Sequence, residues 1–263
     1  MPPFNVIFLI IFLFLGAFIY SNIGLGGGTV YVPIMLTFTP FQIQEVIPLS
    51  LAFACGTAIS AGINHYARGL IDVKTGTLMA VGAVCGAVVG VQFTLWVNVF
   101  VLSVMFSAIV ILLCIRMFYE VLKGHDETKI TIKTRKIKWK DACTLGGGFG
   151  GGFVSGSLGI GGGSLFVPYM LYVLRMETRC AMGTSFFIIV ISTFTGFLTF
   201  YMRGTTGIAG NNVWLSIILV VLVVVGSYIG SHWGLKTLKT PTVKVIFICA
   251  LLLGVIKVIQ RAM

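Results

Sequence analysis

The sequence predicts an all-α integral membrane protein. About eight spanning helices fall into two tandem repeats, each interrupted by a glycine-rich break and a short half-helix. Three observations carry that prediction. The 263 residues are 57% hydrophobic and only 10% charged, whereas a soluble domain averages about 25% charged, so much of the surface must face lipid. Several apolar runs exceed the ~18 residues that mark a spanning helix. One glycine-dense motif occurs twice, as NIGLGGGTVYVP (Asn22–Pro33) and SLGIGGGSLFVP (Ser157–Pro168).

The first span is Phe4–Tyr20. It lacks a basic flank and a small-residue cleavage site, so it reads as a retained helix and not as a leader peptide. The first break follows, then Thr29–Phe38. At about 1.5 Å per residue this piece is too short to cross a core of roughly 30 Å, and it reads as a half-helix or re-entrant piece. Val46–Tyr66, Lys74–Trp96 and Val99–Leu122 complete a first transmembrane repeat, residues 1–122. A basic linker occupies 123–140. The second repeat, 141–263, holds Ala142–Leu158, the second break, the short piece Ser164–Leu174, and the spans Cys180–Met202, Trp214–Leu235 and Val243–Ile259. Gly82, Gly86 and Gly90 step by four, as do Gly226, Gly230 and Gly234, and Gly146–Gly156 is similar. These are small-residue faces for close helix packing.

The duplication keeps one register. Gly24 pairs with Gly159, an offset of 135, and the same offset pairs Pro33 with Pro168, Met35 with Met170, Ser50 with Ser185, Tyr66 with Tyr201, Arg68 with Arg203 and Gly69 with Gly204. With four spans per repeat the two copies run parallel. If the short pieces completed a crossing there would be five, and the copies would be inverted; both kinds occur in transporters. The length argument favours parallel.

The formal charge is +11. The basic residues cluster at span ends and in the linker, which is a topology signal and not a nucleic-acid surface. It predicts a cytoplasmic linker and, with four spans on either side, both termini cytoplasmic as well. Arg68, Lys74, Arg203, Lys257 and Arg261 then share the linker's side, while Arg175, Arg179, Lys236 and Lys239 lie opposite.

The breaks are the candidate site. Unwound backbone is tolerated at membrane depth only where protein or a water-filled cavity satisfies its polar groups. Free N–H groups at a half-helix start, with the helix dipole behind them, favour an anion. The residues concerned are Gly26, Gly27, Gly28 and Thr29 in the first copy, and Gly161, Gly162, Gly163 and Ser164 in the second. Asn22, Ser50, Thr57, Ser60, Thr184, Ser185, Ser192 and Thr195 are candidate pore-lining amides and hydroxyls, although hydrogen bonding between helices accounts for each equally well. Arg68 and Arg203 either draw an anion to the cytoplasmic mouth or anchor span ends. His65 and His232 are possible proton relays or simply hydrogen-bonded. All seven acidic residues lie at span ends or in the linker, where an intramembrane cation site usually needs a carboxylate. Asp72 reads as a helix N-cap. The six cysteines are scattered, with no CxxC pair and no metal or cofactor set. No nucleotide loop is present, because the Lys-Ser/Thr ending is missing.

The paired GxGGGxxxVP (Gly24–Pro33 and Gly159–Pro168), each followed by a Ser/Thr-bearing helix ending in Arg-Gly, resembles the TauE/SafE family of sulfite and organosulfonate exporters, also called toluene sulfonate uptake permeases. The resemblance covers nearly the whole chain. It implies secondary transport of a small sulfur-containing anion, outward across a bacterial inner membrane, with anion oxygens accepting from N–H groups at Gly26–Gly28 and Gly161–Gly163. No cofactor is expected. One departure stands out: Gly183-Thr184-Ser185 fits the family's GTS, but the first copy has Pro48-Leu49-Ser50, so the half-sites contribute unequally. A small-anion channel and a membrane sensor or partner-binding protein are the alternatives; an enzyme is not, for want of a nucleophile–base set. The glycine faces suit either internal packing or a homodimer.

Overall fold

A computed structural model describes residues 3–21, 26–122, 140–205 and 213–237, together with 255, 258 and 260. Nine helices occupy the described residues: α1 Pro3–Tyr20, α2 Gly28–Phe38, α3 Ile43–Tyr66, α4 Val73–Trp96, α5 Val99–Leu122, α6 Lys140–Leu158, α7 Gly163–Tyr172, α8 Thr178–Met202 and α9 Val213–Thr237. Four stretches are long and apolar enough to cross a membrane: Ile43–Tyr66, Val73–Trp96, Thr178–Met202 and Trp214–His232. The eighth expected span, Asn22 and most of the linker lie outside the described residues.

Local chemistry sets the helix starts. Asp72 caps α4, its carboxylate accepting from the Thr75 N–H at 3.3 Å and the Thr75 hydroxyl at 2.6 Å, as expected of an N-cap. Gln42 and Glu45 form a capping box on α3, which also explains why Glu45 stands at that end. Large apolar side chains point outward, among them Phe8, Ile11, Val81, Leu112, Phe194 and Ile218. Exposed Trp96, Trp214, Tyr66 and Tyr201 sit at helix ends, where interfacial aromatics collect.

The most extensive helix pairs all join one half of the chain to the other: α4 with α6, α3 with α8, α4 with α8, α1 with α9, and α9 with α3. Glycine makes two of these possible. A Cβ on Gly82, Gly86 or Gly90 would collide with the α6 carbonyls of Leu145, Phe149 and Phe153 respectively, and Gly148, Gly152 and Gly156 meet Met79, Ala83 and Ala87 in return. The α4–α6 backbones are therefore in contact along their length. On the other flank Gly226 and Gly230 lie against Phe14 and Phe18 of α1. Hydroxyls tie α9 to α3: Ser227 Oγ donates to the Thr57 carbonyl at 3.1 Å, and Asn64 Nδ2 to Ser231 Oγ at 2.6 Å.

These contacts also fix helix directions, and they correct one expectation. Leu51 meets Gly196, Cys55 meets Val190, and Gly62 and His65 meet Phe186, so α3 and α8 run antiparallel although they hold matching positions. Copies related in parallel would have them side by side in one direction. Helical rise alone makes the short pieces too short to cross. Gly16 meets Val30 and Ile34 while Phe12 stacks on Phe38, so α2 runs back antiparallel to α1, and with extended chain covering up to about 3.3–3.6 Å per residue a break plus a half-helix is long enough for a full return pass.

Two further expectations change with it. The start of α1 lies at the opposite end of the bundle from the end of α5 and the start of α6, so the N-terminus does not share the linker's side. Arg203 approaches Gln92 near the end of α4, 2.7 Å from the amide when its oxygen faces the guanidinium, whereas Arg68 follows α3 beside the start of α4. The two arginines therefore occupy opposite ends. Arg175 and Arg179 flank the start of α8 and join Arg68, Lys74 and the linker end, since Gly183 abuts Leu70. Single cysteines at the exposed positions 68 and 203 will therefore react with an impermeant thiol reagent from opposite faces of sealed vesicles. Labelling of both from one face would overturn the assignment.

Candidate functional site

Gly27 and Gly162 open the half-helices. Each is the N-cap of its helix, with φ 76°, ψ −14° and φ 73°, ψ −16°, left-handed values at which a side chain is strained. Gly27 accepts through its carbonyl from Val30 and Tyr31 at 3.0 and 3.2 Å; Gly162 does the same from Leu165 and Phe166, both at 2.9 Å. The N–H groups of Gly28, Thr29, Gly163 and Ser164 have no acceptor among the described residues. They are the orphan donors of two helix N-termini.

The two breaks touch. A Cβ on Gly28 would collide with the Gly159 and Ile160 backbone. Ser50 Oγ donates to the Gly159 carbonyl at 2.8 Å. A Cβ on Gly26 would lie 3.1 Å from Ile189, and one on Gly161 3.1 Å from Ala54. Ala54 and Ile189 are near the midpoints of α3 and α8, so the crossing lies half-way along the long helices. The half-helices α2 and α7 lead away from it in opposite directions: α2 runs antiparallel to α3, with Tyr31 beside Thr57, and α7 runs antiparallel to α6, with Phe166 beside Gly151 and Tyr169 beside Gly147. Two positive helix ends thus meet at one depth, with no acidic side chain in either half-helix.

The hydroxyls predicted to line the site divide. Ser50 lies at the crossing. Thr57 Oγ1 shares a 2.6 Å hydrogen bond with the Tyr31 hydroxyl, and Thr29 Oγ1 donates to the Tyr20 hydroxyl at 2.9 Å. Ser164 is buried beside the second break, with no partner for its hydroxyl among the described residues. Ser192 and Thr195 bond back to their own helix, at Ile189 and Ile191, and Ser185 Oγ donates to the Met182 carbonyl at 2.7 Å. Ser60 donates to Val224 of α9. Thr184 is drawn away from the crossing: its Oγ1 accepts from the Asp72 N–H at 3.0 Å, against the α3–α4 turn. His65 is buried, its Nδ1 3.0 Å from the Ala61 carbonyl, and holds its own helix end. An open cleft lined by Leu36, Pro40, Phe41 and Gln42 lies at the far end of α2 and not at the crossing.

Sequence reasoning missed Tyr20 and Tyr31, which sit on the first break. Their signal was the mismatch within the repeat: the same offset of 135 places Ser155 opposite Tyr20 and Phe166 opposite Tyr31.

The family described as "Sulfite exporter TauE/SafE" matches residues 8–258. The chain belongs to the TauE/SafE family. Its relatives within the family's reach carry transporter names. A probable membrane transporter protein of Bacillus subtilis, YunE, is 28% identical over 253 residues, covering 89% of each chain. A second from the same organism, YdhB, is 24% identical over 233 residues, 87% of this chain and 88% of its own. A probable membrane transporter protein of Haemophilus influenzae is 26% identical over 219 residues, 81% of this chain and 79% of its own. No solved structure matches the chain. A TauE/SafE chain with these apolar helices is a multi-pass membrane protein, and membrane transport is what the family and its relatives indicate.

Proposed function

We propose that this chain is a secondary transporter, working as an exporter of a small sulfur-containing anion such as sulfite or an organosulfonate, by alternating access around the paired breaks in a bacterial inner membrane. The observation that supports it is the meeting of two half-helix N-termini at mid-depth, with four N–H groups that have no acceptor among the described residues and no carboxylate in either half-helix. Such donors suit a ligand that only accepts hydrogen bonds. The family description supplies the sulfur. The repeats are taken as inverted, as in many transporters with broken helices at the substrate site. That arrangement gathers Arg68, Lys74, Arg175, Arg179 and the linker on one side, a cleaner cytoplasmic bias than the parallel one gave.

Because the strongest helix pairs join the two halves, the moving bodies are not residues 1–122 and 141–263 as units. Motion falls instead to a smaller part of the structure, where the two breaks meet. Purified protein in liposomes loaded with sulfite, then with methanesulfonate, tests the reading by release with and without a pH gradient. Saturable release is expected, lost in Gly27→Leu and Gly162→Leu, where a side chain would have to enter left-handed backbone. Release of neither anion from inserted, folded protein sinks the substrate class. Non-saturating release at channel speed would assign the fold to the small-anion channel instead.

A further inference from the structure

We propose that the two breaks are unequal: the second, with Ser155 and Ser164, seats the anion, and the first is closed by Tyr20 and Thr29. This rests on the anion reading above and deepens it, adding which half holds the ligand and a residue, Ser155, outside the repeated motif.

In the first half Thr29 donates to the Tyr20 hydroxyl at 2.9 Å, and both side chains are fully buried. At the offset of 135 stand Ser164 and Ser155. Both are again buried, at 1% and 0% exposure, but neither hydroxyl has a partner among the described residues. Serine is shorter than tyrosine by a whole ring, so the bridge that closes the first half is missing from the second. Buried hydroxyls are nearly always hydrogen-bonded, and these two stand at the positions that are bonded to each other in the first half, so they are free for a ligand.

Their position says which kind. Ser164 is the second residue of α7, so its hydroxyl sits among the free N–H groups of Gly163 and Ser164. Gly151 of α6 faces this helix start: its carbonyl lies 3.1 Å from where a Cβ on Gly162 would be. Ser155 is one turn further along α6, on that same face. The α7 helix carries no acidic residue, and Asp141 is at the far end of α6. Two O–H and two N–H donors at a positive helix end fit a compact oxyanion with several acceptor oxygens. A cation finds no carboxylate there. The first break keeps its donors but has spent its hydroxyl on Tyr20, so it acts as the fixed side against which the second opens.

Calorimetric titration of sulfite and of methanesulfonate into detergent-purified protein, with melting curves of the same samples, tests this. Ser155→Ala and Ser164→Ala are each expected to weaken binding about tenfold or more, as loss of a hydrogen bond to a charged ligand does. Without ligand both should melt at or above the wild-type temperature, because each removes an unsatisfied buried group. Ser164→Thr, which keeps the hydroxyl and borrows the residue found at position 29, should bind within about threefold of wild type. Ser216→Ala removes a hydroxyl of the same kind, buried and without a partner among the described residues but on α9, outside both breaks, and should leave affinity unchanged. Wild-type binding that survives intact in both alanine variants, or ligand-free melting that falls by several degrees, overturns the unequal-breaks inference and leaves the transporter reading standing. A wild-type protein that binds neither anion overturns both.

Discussion

Gly28→Ala will stop anion flux while leaving the protein in the membrane. A single methyl at this position has nowhere to go, because the space is filled by the Gly159 carbonyl and the Ile160 peptide of the other break, and backbone cannot rotate aside as a side chain can. The two breaks must part, and the donors of Gly28, Gly163 and Ser164 move with them. Displacing positioned groups by about 1 Å can cost on the order of a hundredfold in rate, so release from loaded liposomes should fall to roughly a hundredth of wild type. Gly62→Ala is the matched control. Its new methyl would lie 3.5 Å from Phe186, an ordinary contact, and flux should be normal. Flux above half of wild type in an inserted Gly28→Ala protein would show that the crossing of the breaks is not the working geometry.

The largest effect on folding is expected at Gly86. A leucine there would drive into the Phe149 carbonyl and the Phe153 N–H of α6. Overpacking against side chains typically costs about 1–3 kcal/mol; against backbone on a continuous helix contact the cost should exceed about 4 kcal/mol. Gly86→Leu should therefore yield no monodisperse, cooperatively melting protein. Gly150→Leu changes the same chemistry on α6 at a position with nothing within 4 Å, and it should purify and melt within about 0.5 kcal/mol of wild type. A Gly86→Leu protein that behaves like wild type would remove the backbone contact between α4 and α6 from the account.

The helices were legible because apolar length is a strong signal. Every expected span within the described residues has its helix, and both short pieces are short helices, Gly28–Phe38 and Gly163–Tyr172. The breaks were legible because four glycines in five residues serve no regular helix. Direction was not. Whether a non-helical segment turns back or passes through is decided by what it packs on, and here Ser50, Ala54 and Ile189 draw both breaks to mid-depth. With that one choice reversed, Arg203 changed ends. The individual hydroxyls were not legible either, since Thr57, Thr184 and Ser192 have the same chemistry and differ only in the neighbour that reaches them first: Tyr31, the Asp72 N–H and the Ile189 carbonyl. What would have helped was reading the repeat at its differences, where Tyr20 faces Ser155 and Tyr31 faces Phe166.

The cross-pairing of the halves has a consequence for how the chain is made. The glycine face of α4 has no partner until α6 leaves the ribosome, and α1 waits for Gly226 and Gly230 of α9. Synthesis proceeds at about 5–20 residues per second, so α1 stands in the bilayer for on the order of ten to forty seconds before its mate exists. During that interval the nascent protein shows its stickiest surfaces to the lipid and to whatever else is inserting nearby. Assembly is thus gated by helices of the second half, and a product truncated before them is left with open glycine grooves.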